Sequence, residues 1–100
     1  MNDENPLPLI TPSETGAVPV FNCHVILSPP DDAGRIAGRA ANLQGIVADG
    51  ATERDVLTAI MKKFRAAVQE YSDNNQSVPL KDPPDEAQVG EVERFIPVHL

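Results

Sequence analysis

The side chains best suited to chemistry in this sequence are two histidines and one cysteine. A zinc site needs three or four ligands, and His24, His99 and Cys23 are the only imidazole and thiol groups in the chain. Cys23 falls at an alternate position of the apolar stretch "VPVFNCHVIL", where a free cysteine packs as a small hydrophobic residue. We therefore predict no metal site and no cofactor, and we place the two histidines on an exposed sheet surface.

The carboxylates cluster in turn-like stretches rather than in a catalytic pattern. The segments "SPPDDAG" and "LKDPPDEA" surround their acidic residues with prolines, a composition typical of solvated turns. The spacing matches no calcium loop, and the sequence has no recognisable Ser-His-Asp or Cys-His signature and no glycine-rich phosphate loop. These patterns predict a protein that is not an enzyme. The acidic residues concerned are Asp31, Asp32, Asp82, Asp85 and Glu86.

The overall charge favours one class of partner. The chain holds 15 acidic and 8 basic residues, a net charge of -7, which repels a phosphate backbone and favours encounter with a basic protein. Lys62, Lys63 and Arg65 are expected on the solvated side of a helix, where they would pair locally with Gln69 and Glu70. Only 4% of the residues are aromatic, and we expect them in the core, so no platform for stacked bases is predicted.

Hydrophobic periodicity predicts four strands that position these side chains. In the first strand, which begins near residue 18, alternate residues are apolar, whereas Asn22 and His24 fall on the opposite face. Further strands are predicted at residues 35–41, 46–49 and 92–100, and the short connections between the first three favour an antiparallel meander. The apolar set of the first strand is Phe21, Cys23, Val25 and Leu27.

A long amphipathic helix is predicted between the third and fourth strands. Thr52 and Asp55 have the spacing of a capping box at its start, and "SDNNQS" supplies residues that end helices. Apolar residues recur at spacings of three and four and form a stripe that must pack on the sheet. The stripe consists of Val56, Leu57, Ile60, Met61, Phe64, Ala67, Val68 and Tyr71.

The last strand completes the expected architecture. Pro97 cannot donate to a ladder, which favours a position at the sheet edge, and a strand entered from a helix usually joins its sheet in parallel. The prediction is an α+β fold of β-β-β-α-β order, with one helix packed on one face of a four-stranded mixed sheet. The other face is expected to be uncovered.

The chain is expected to form one domain. Residues 1–17 are rich in turn formers and poor in large apolar side chains, as in a flexible arm, and residues 18–100 form the domain. Within it, residues 79–91 form a proline-rich acidic loop before the last strand. No run approaches the about 20 apolar residues of a membrane span, and no signal-peptide pattern is present, so we expect a cytoplasmic protein.

The pattern "G-R-I-A…N-L-Q-G-I…D-G-A-T-E-R-D-V", residues 34–56, resembles the motif of the HicB-like antitoxin family. Arg35 replaces an aromatic residue of that motif and Gln44 replaces a proline. The segment "QSVPLKDPP" is similar to the short proline segment that follows the family's helix. The matching residues are Gly34, Ala37, Leu43, Gly45, Gly50 and Thr52.

This resemblance implies a partial RNase H-like fold and a role as an antitoxin. Such proteins commonly form homodimers or higher oligomers and neutralise a small basic toxin that cleaves RNA. An RNase H-like nuclease itself would need carboxylates for two metal ions, and the first strand offers Asn22 and His24 instead. We therefore expect neither nuclease activity nor direct binding to nucleic acid or membranes.

Three functional hypotheses follow. In the first, the chain is a non-catalytic protein-binding module whose uncovered sheet face and turn acids receive the basic partner. In the second, His24, His99 and Asp49 converge in a groove and bind a small ligand. In the third, the chain is a scaffold that self-associates through exposed strand edges. The candidate partner-binding residues of the first hypothesis are Asn22, His24, Asp31, Asp32, Arg39 and Asp49.

Overall fold

Turns built from proline, aspartate and glycine divide residues 20–100, the part of the chain that the computed structural model describes, into four strands and one helix. The order β-β-β-α-β agrees with the prediction, and the predicted arm at residues 1–17 lies outside the described residues. The elements are β1 (Val20–Leu27), β2 (Ile36–Ala40), β3 (Val47–Gly50), α1 (Glu53–Asp73) and β4 (Val92–His99).

The four strands form one sheet in the order β3-β2-β1-β4. β4 lies at an edge, as Pro97 predicted. The prediction that β4 runs parallel in the sheet is wrong. β4 is antiparallel to β1, with Val20 opposite His99 and Leu27 opposite Val92. The sheet is therefore antiparallel throughout and not mixed.

The orientation of β4 follows from the length of the connection that precedes it. Helix α1 ends beside the β2–β3 turn, where Tyr71 and Leu43 line one cavity. Residues 74–91, which we call the return segment, then lead the chain back to the other end of the sheet. The amides of Lys81 and Asp85 donate to the carbonyls of Asn42 (2.8 Å) and Ala41 (2.9 Å) on the way. A strand that starts directly after the helix would have been parallel to β1, but β4 starts only after this second traverse.

The return segment also covers part of the sheet face opposite the helix, which we call the far face. Arg39 points to the far face, because its neighbour Gly38 lies against the helix, and its guanidinium bonds the carboxylate of Glu91 at 3.0 Å. Ile26 is on the same face as His24 by strand alternation and is 0% exposed. The prediction of an uncovered face is therefore wrong for the middle of the sheet.

Helix α1 begins and ends where the sequence predicts. The Thr52 hydroxyl accepts a hydrogen bond from the Asp55 amide at 3.1 Å, and Asn75, just beyond the end, adopts a left-handed φ of 57°. The apolar stripe packs on the sheet as predicted, with four of its residues fully buried. These four are Val56, Ile60, Phe64 and Val68, and they meet Cys23, Val25, Leu27 and Val98 from the sheet.

Close packing between the helix and β2 depends on a glycine. A Cβ atom on Gly38 would lie 2.6 Å from Val56 Cγ1, 2.8 Å from Ile60 Cδ1 and 3.0 Å from Leu27 Cδ2. Real Cβ atoms essentially never approach other heavy atoms below 3.0 Å. The small residues of β2 therefore let the helix approach the sheet backbone closely.

Candidate partner-binding face

Strand alternation separates the six predicted partner-binding residues into two groups. Asp49 is paired with Ala37 across β2 and β3, and directly paired residues share a face, so Asp49 and Arg39 are both on the far face. Asp31 and Asp32 lie instead in the β1–β2 turn. The residues on the far face are Asn22, His24, Arg39 and Asp49.

Two charged residues of the far face are already held by intramolecular ion pairs. Arg35 donates to Asp49 Oδ2 through Nε at 3.0 Å and Nη2 at 2.6 Å. Arg39 donates to Glu91 at 3.0 and 3.4 Å. Hydrogen bonding to Glu91 raises the pKa of Arg39, and the hydrogen bonds from Arg39 and the Gln88 amide lower the pKa of Glu91. These pairs fix the return segment and the β1–β2 turn against the sheet.

The carboxylate of Asp31 has a local structural role. Asp31 Oδ1 accepts hydrogen bonds from the amides of Ala33 and Arg35, both at 2.9 Å. This is the Asx-type bonding that stabilises turns. Asp32 is exposed in the same turn.

His24 lies at the centre of a small cluster on β1 and β4. Its Nε2 is 3.1 Å from Glu93 Oε1, and its ring centroid is 4.4 Å from that of Phe95. The side chain is 14% exposed. The amide of His24 donates to Asn42 Oδ1 at 3.1 Å, and Asn42 Nδ2 donates to the Asn22 carbonyl at 2.7 Å. The Asn42 side chain therefore bonds main-chain groups of β1 in the way that a neighbouring strand would.

The groove proposed for a small ligand does not form from the three residues named for it. His99 is paired with Val20 and His24 with Phe95, so the two histidines lie about 13 Å apart along the strands. Asp49 lies two strands away from β1, towards the end of the sheet opposite His99. The structure places the three side chains at separate points of the far face.

The strongest feature of the far face was missed at the sequence level. Phe95 was expected in the core with the other aromatic residues, but it is 60% exposed. Period-two alternation carries the missing signal, because Ile96 and Val98 face the helix and Phe95 must therefore face away. Arg94, which interrupts the apolar pattern of β4, is on the helix side and bonds Glu53 at 2.8 Å.

At both edges of the sheet a cationic side chain bonds an outward carbonyl of the edge strand. Lys63 was expected to pair with helix neighbours, but its Nζ donates to the carbonyl of Val47 on β3 at 2.7 Å. Arg94 Nη1 donates to the carbonyl of Glu93 on β4 at 2.8 Å. Pro97 removes a further donor from β4. A cationic side chain laid over an edge carbonyl obstructs and competes with an added strand, which makes both edges less suited to strand addition.

The described residues hold little that points to redox or metal chemistry. Burial raises the pKa of the Cys23 thiol to about 11, which makes it a poor nucleophile at neutral pH. Residues 20–100 contain no group of three or more His, Cys, Asp and Glu side chains placed to hold a metal ion. Within the same range, no helix has both the length and the apolar character needed to cross a membrane.

The comparisons with known proteins place the chain in no family. No family model, no curated protein and no solved structure matches it.

Proposed function

We propose that the chain is a non-catalytic, cytoplasmic protein-binding module whose partner is a small basic protein. The observation that carries the proposal is the exposed Phe95, which lies beside the Glu93 carboxylate on the far face of a chain with net charge -7. Exposed aromatic residues are enriched at protein interfaces. An acidic surface accelerates encounter with a basic partner.

The arrangement of the far face supports docking on its two sides. The return segment occupies the middle, where Ile26 is fully buried. On one side Phe95 is exposed, and on the other Val47 is 56% exposed next to Asp49. A partner would therefore rest on an apolar and acidic surface whose carboxylates, Glu93 and Asp49, already have intramolecular partners, which reduces the entropy lost on association.

The specific form of the proposal is a HicB-type antitoxin that neutralises a small basic RNA-cleaving toxin. Its support is the motif between Gly34 and Val56 and the β-β-β-α-β order of the elements. In this form the chain blocks its partner by occupying its active surface. No family model matches the chain, so the family-specific form has less support than the general one.

Self-association through strand edges is the weaker alternative. Lys63 and Arg94 bond outward carbonyls of β3 and β4, and two copies would each carry a net charge of -7. A homodimer, which the resemblance implies, would have to use another surface. Light scattering at two protein concentrations measures whether a dimer forms.

Titration calorimetry with the protein encoded by the adjacent gene tests the proposal. We expect saturable binding with a basic product, and the affinity should fall as salt rises from 50 to 500 mM because exposed charges are screened. Cleavage of RNA by that product, if it occurs, should stop at the same molar ratio. An adjacent product that is not basic, or one that gives no binding at low salt, would remove the proposal.

A further inference from the structure

We infer that Phe95 and Glu93 form a receiving site for an arginine side chain of the basic partner. This inference rests on the proposed function and makes it specific, since it names the point of contact and the chemical group that is recognised. A guanidinium can stack on an aromatic face and bond a carboxylate at the same time.

The two groups lie next to each other on one strand and one face. Residues two apart on a strand are separated by about 7 Å and point the same way, so the Glu93 carboxylate borders the Phe95 ring. Phe95 is 60% exposed and the Glu93 side chain is 43% exposed. Both groups can therefore be reached from solvent, and both contact the same His24 imidazole.

His24 holds both groups in place from below. Its ring lies 4.4 Å from the Phe95 ring at an interplanar angle of 37°, and its Nε2 lies 3.1 Å from Glu93 Oε1. The His24 main chain is fixed in turn by hydrogen bonds with Asn42 and Ala41. The His24 contact uses only one carboxylate oxygen of Glu93, Oε1, which leaves Oε2 to accept from an incoming guanidinium.

The arginines next to this site on the chain's own strands already bond other carboxylates. Arg94 points to the opposite face and bonds Glu53, and Arg39 bonds Glu91. An added strand is disfavoured because Arg94 and Pro97 block the β4 edge on either side of Phe95. A second copy is disfavoured by its own net charge of -7. The remaining occupant is a cationic side chain of a basic partner, docked on the face.

The test uses a capped arginine peptide, acetyl-Gly-Arg-Gly-Ser-Arg-Gly-amide, titrated into the ¹⁵N-labelled chain and followed by NMR. A peptide with citrulline in place of arginine is the control, because citrulline keeps a similar shape and several N–H donors but has no charge. We expect the amide shifts of Glu93, Phe95 and His24 to change with the arginine peptide and to stay constant with the citrulline peptide.

Variants separate the ring from the carboxylate. An exposed cation–π contact and an exposed ion pair are each worth about a two- to fivefold change in affinity, so Phe95→Ala and Glu93→Gln should each weaken binding by about that factor. Phe95→Leu should behave like Phe95→Ala, since leucine keeps apolar area but has no aromatic face. Glu70→Gln is the matched control for the charge change, because Glu70 is exposed on helix α1, on the other side of the sheet, and it should leave the affinity unchanged.

The possible failures are distinguishable. Shift changes confined to the Asp31–Asp32 turn or to residues 82–86, or equal affinity of Phe95→Ala and the unaltered chain, would overturn this inference. Equal binding of the citrulline peptide, or no shift change at Phe95 with either peptide, would overturn it as well. In each of these cases the proposed function survives if the protein encoded by the adjacent gene still binds, and it fails separately if that protein does not bind.

Discussion

Replacing Gly38 with alanine tests the close contact between helix α1 and β2. The added Cβ would lie 2.6 Å from Val56 Cγ1 and 2.8 Å from Ile60 Cδ1. Valine in a helix has one strongly preferred χ1 rotamer, so Val56 cannot turn its methyl group away at low cost. The helix or the strand has to shift instead.

The expected loss of stability combines two opposing effects. Overpacking of a core costs about 1–3 kcal/mol, whereas replacing glycine by alanine stabilises by about 0.4–1 kcal/mol through the unfolded state. The mid-range values of about 2 and about 0.7 kcal/mol give a net loss of about 1.3 kcal/mol in the free energy of unfolding for Gly38→Ala. For a domain of this size the melting temperature should fall by about 4–8 °C per kcal/mol.

Urea unfolding followed by far-ultraviolet circular dichroism measures this loss. Gly50→Ala is the matched control, because a Cβ there would come no closer than 3.1 Å to Asp55 Cβ, and its cost should be smaller. Ile60→Val removes the Cδ1 atom in the way, so combining it with Gly38→Ala should cost less than the sum of the two single losses. A Gly38→Ala variant as stable as the unaltered chain, or strict additivity with Ile60→Val, would refute the packing described for this contact.

Three further predictions concern single side chains. Burial raises the pKa of the Cys23 thiol from 9.0 to about 11, so its contribution to stability should be complete below pH 9.0 and be lost as the pH rises towards 11. The free energy of unfolding should fall less over this range in Cys23→Ala than in the unaltered chain. A thiol reagent should label the unaltered chain only when it unfolds. Because Arg39 lowers the pKa of Glu91, the stabilising effect of this pair should be present above the ordinary glutamate pKa and be lost as the pH falls through the lowered value. The free energy of unfolding of Glu91→Gln should therefore fall less steeply in acid than that of the unaltered chain, and an equally steep fall would contradict this. Asn42→Ala should lower the free energy of unfolding by about 1–3 kcal/mol, since a main-chain donor of β1 loses its partner, whereas Gln44→Ala, at an exposed position, should change it little in the same urea assay.

The helix and the first three strands follow from local signals that tertiary structure does not override. The helix has an N-cap, an uninterrupted apolar stripe and a terminating asparagine pair, and each of these acts within a few residues. The small residues of β2 indicate a close approach of another element, and Gly38 shows the reason for them.

The direction of β4 could not be read from local signals. It depends on whether residues 74–91 end at the same end of the sheet as the helix or at the opposite end, and proline content does not determine that. The anchoring bonds are non-local, from Lys81 and Asp85 to the β2–β3 turn and from Arg39 to Glu91. Ile26 is buried on the far face, which alternation along β1 alone does not predict.

The candidate site was predicted in part. Alternation along β1 placed Asn22 and His24 on the far face correctly, but the ion pairs of Arg39 and Asp49 depend on partners 52 and 14 residues away. The exposure of Phe95 could have been found by applying the same alternation to β4. The single arginine in that strand obscured which of its faces is apolar.

The footprint of the basic partner on the chain shows directly whether the far face is the surface that binds it. The measurement is the change in amide chemical shifts when the unlabelled protein encoded by the adjacent gene is added to the ¹⁵N-labelled chain. We expect changes concentrated on the far face, at Asn22, Phe95 and Asp49. Changes confined to the solvent side of helix α1, where Lys62 and Arg65 are exposed, would contradict it.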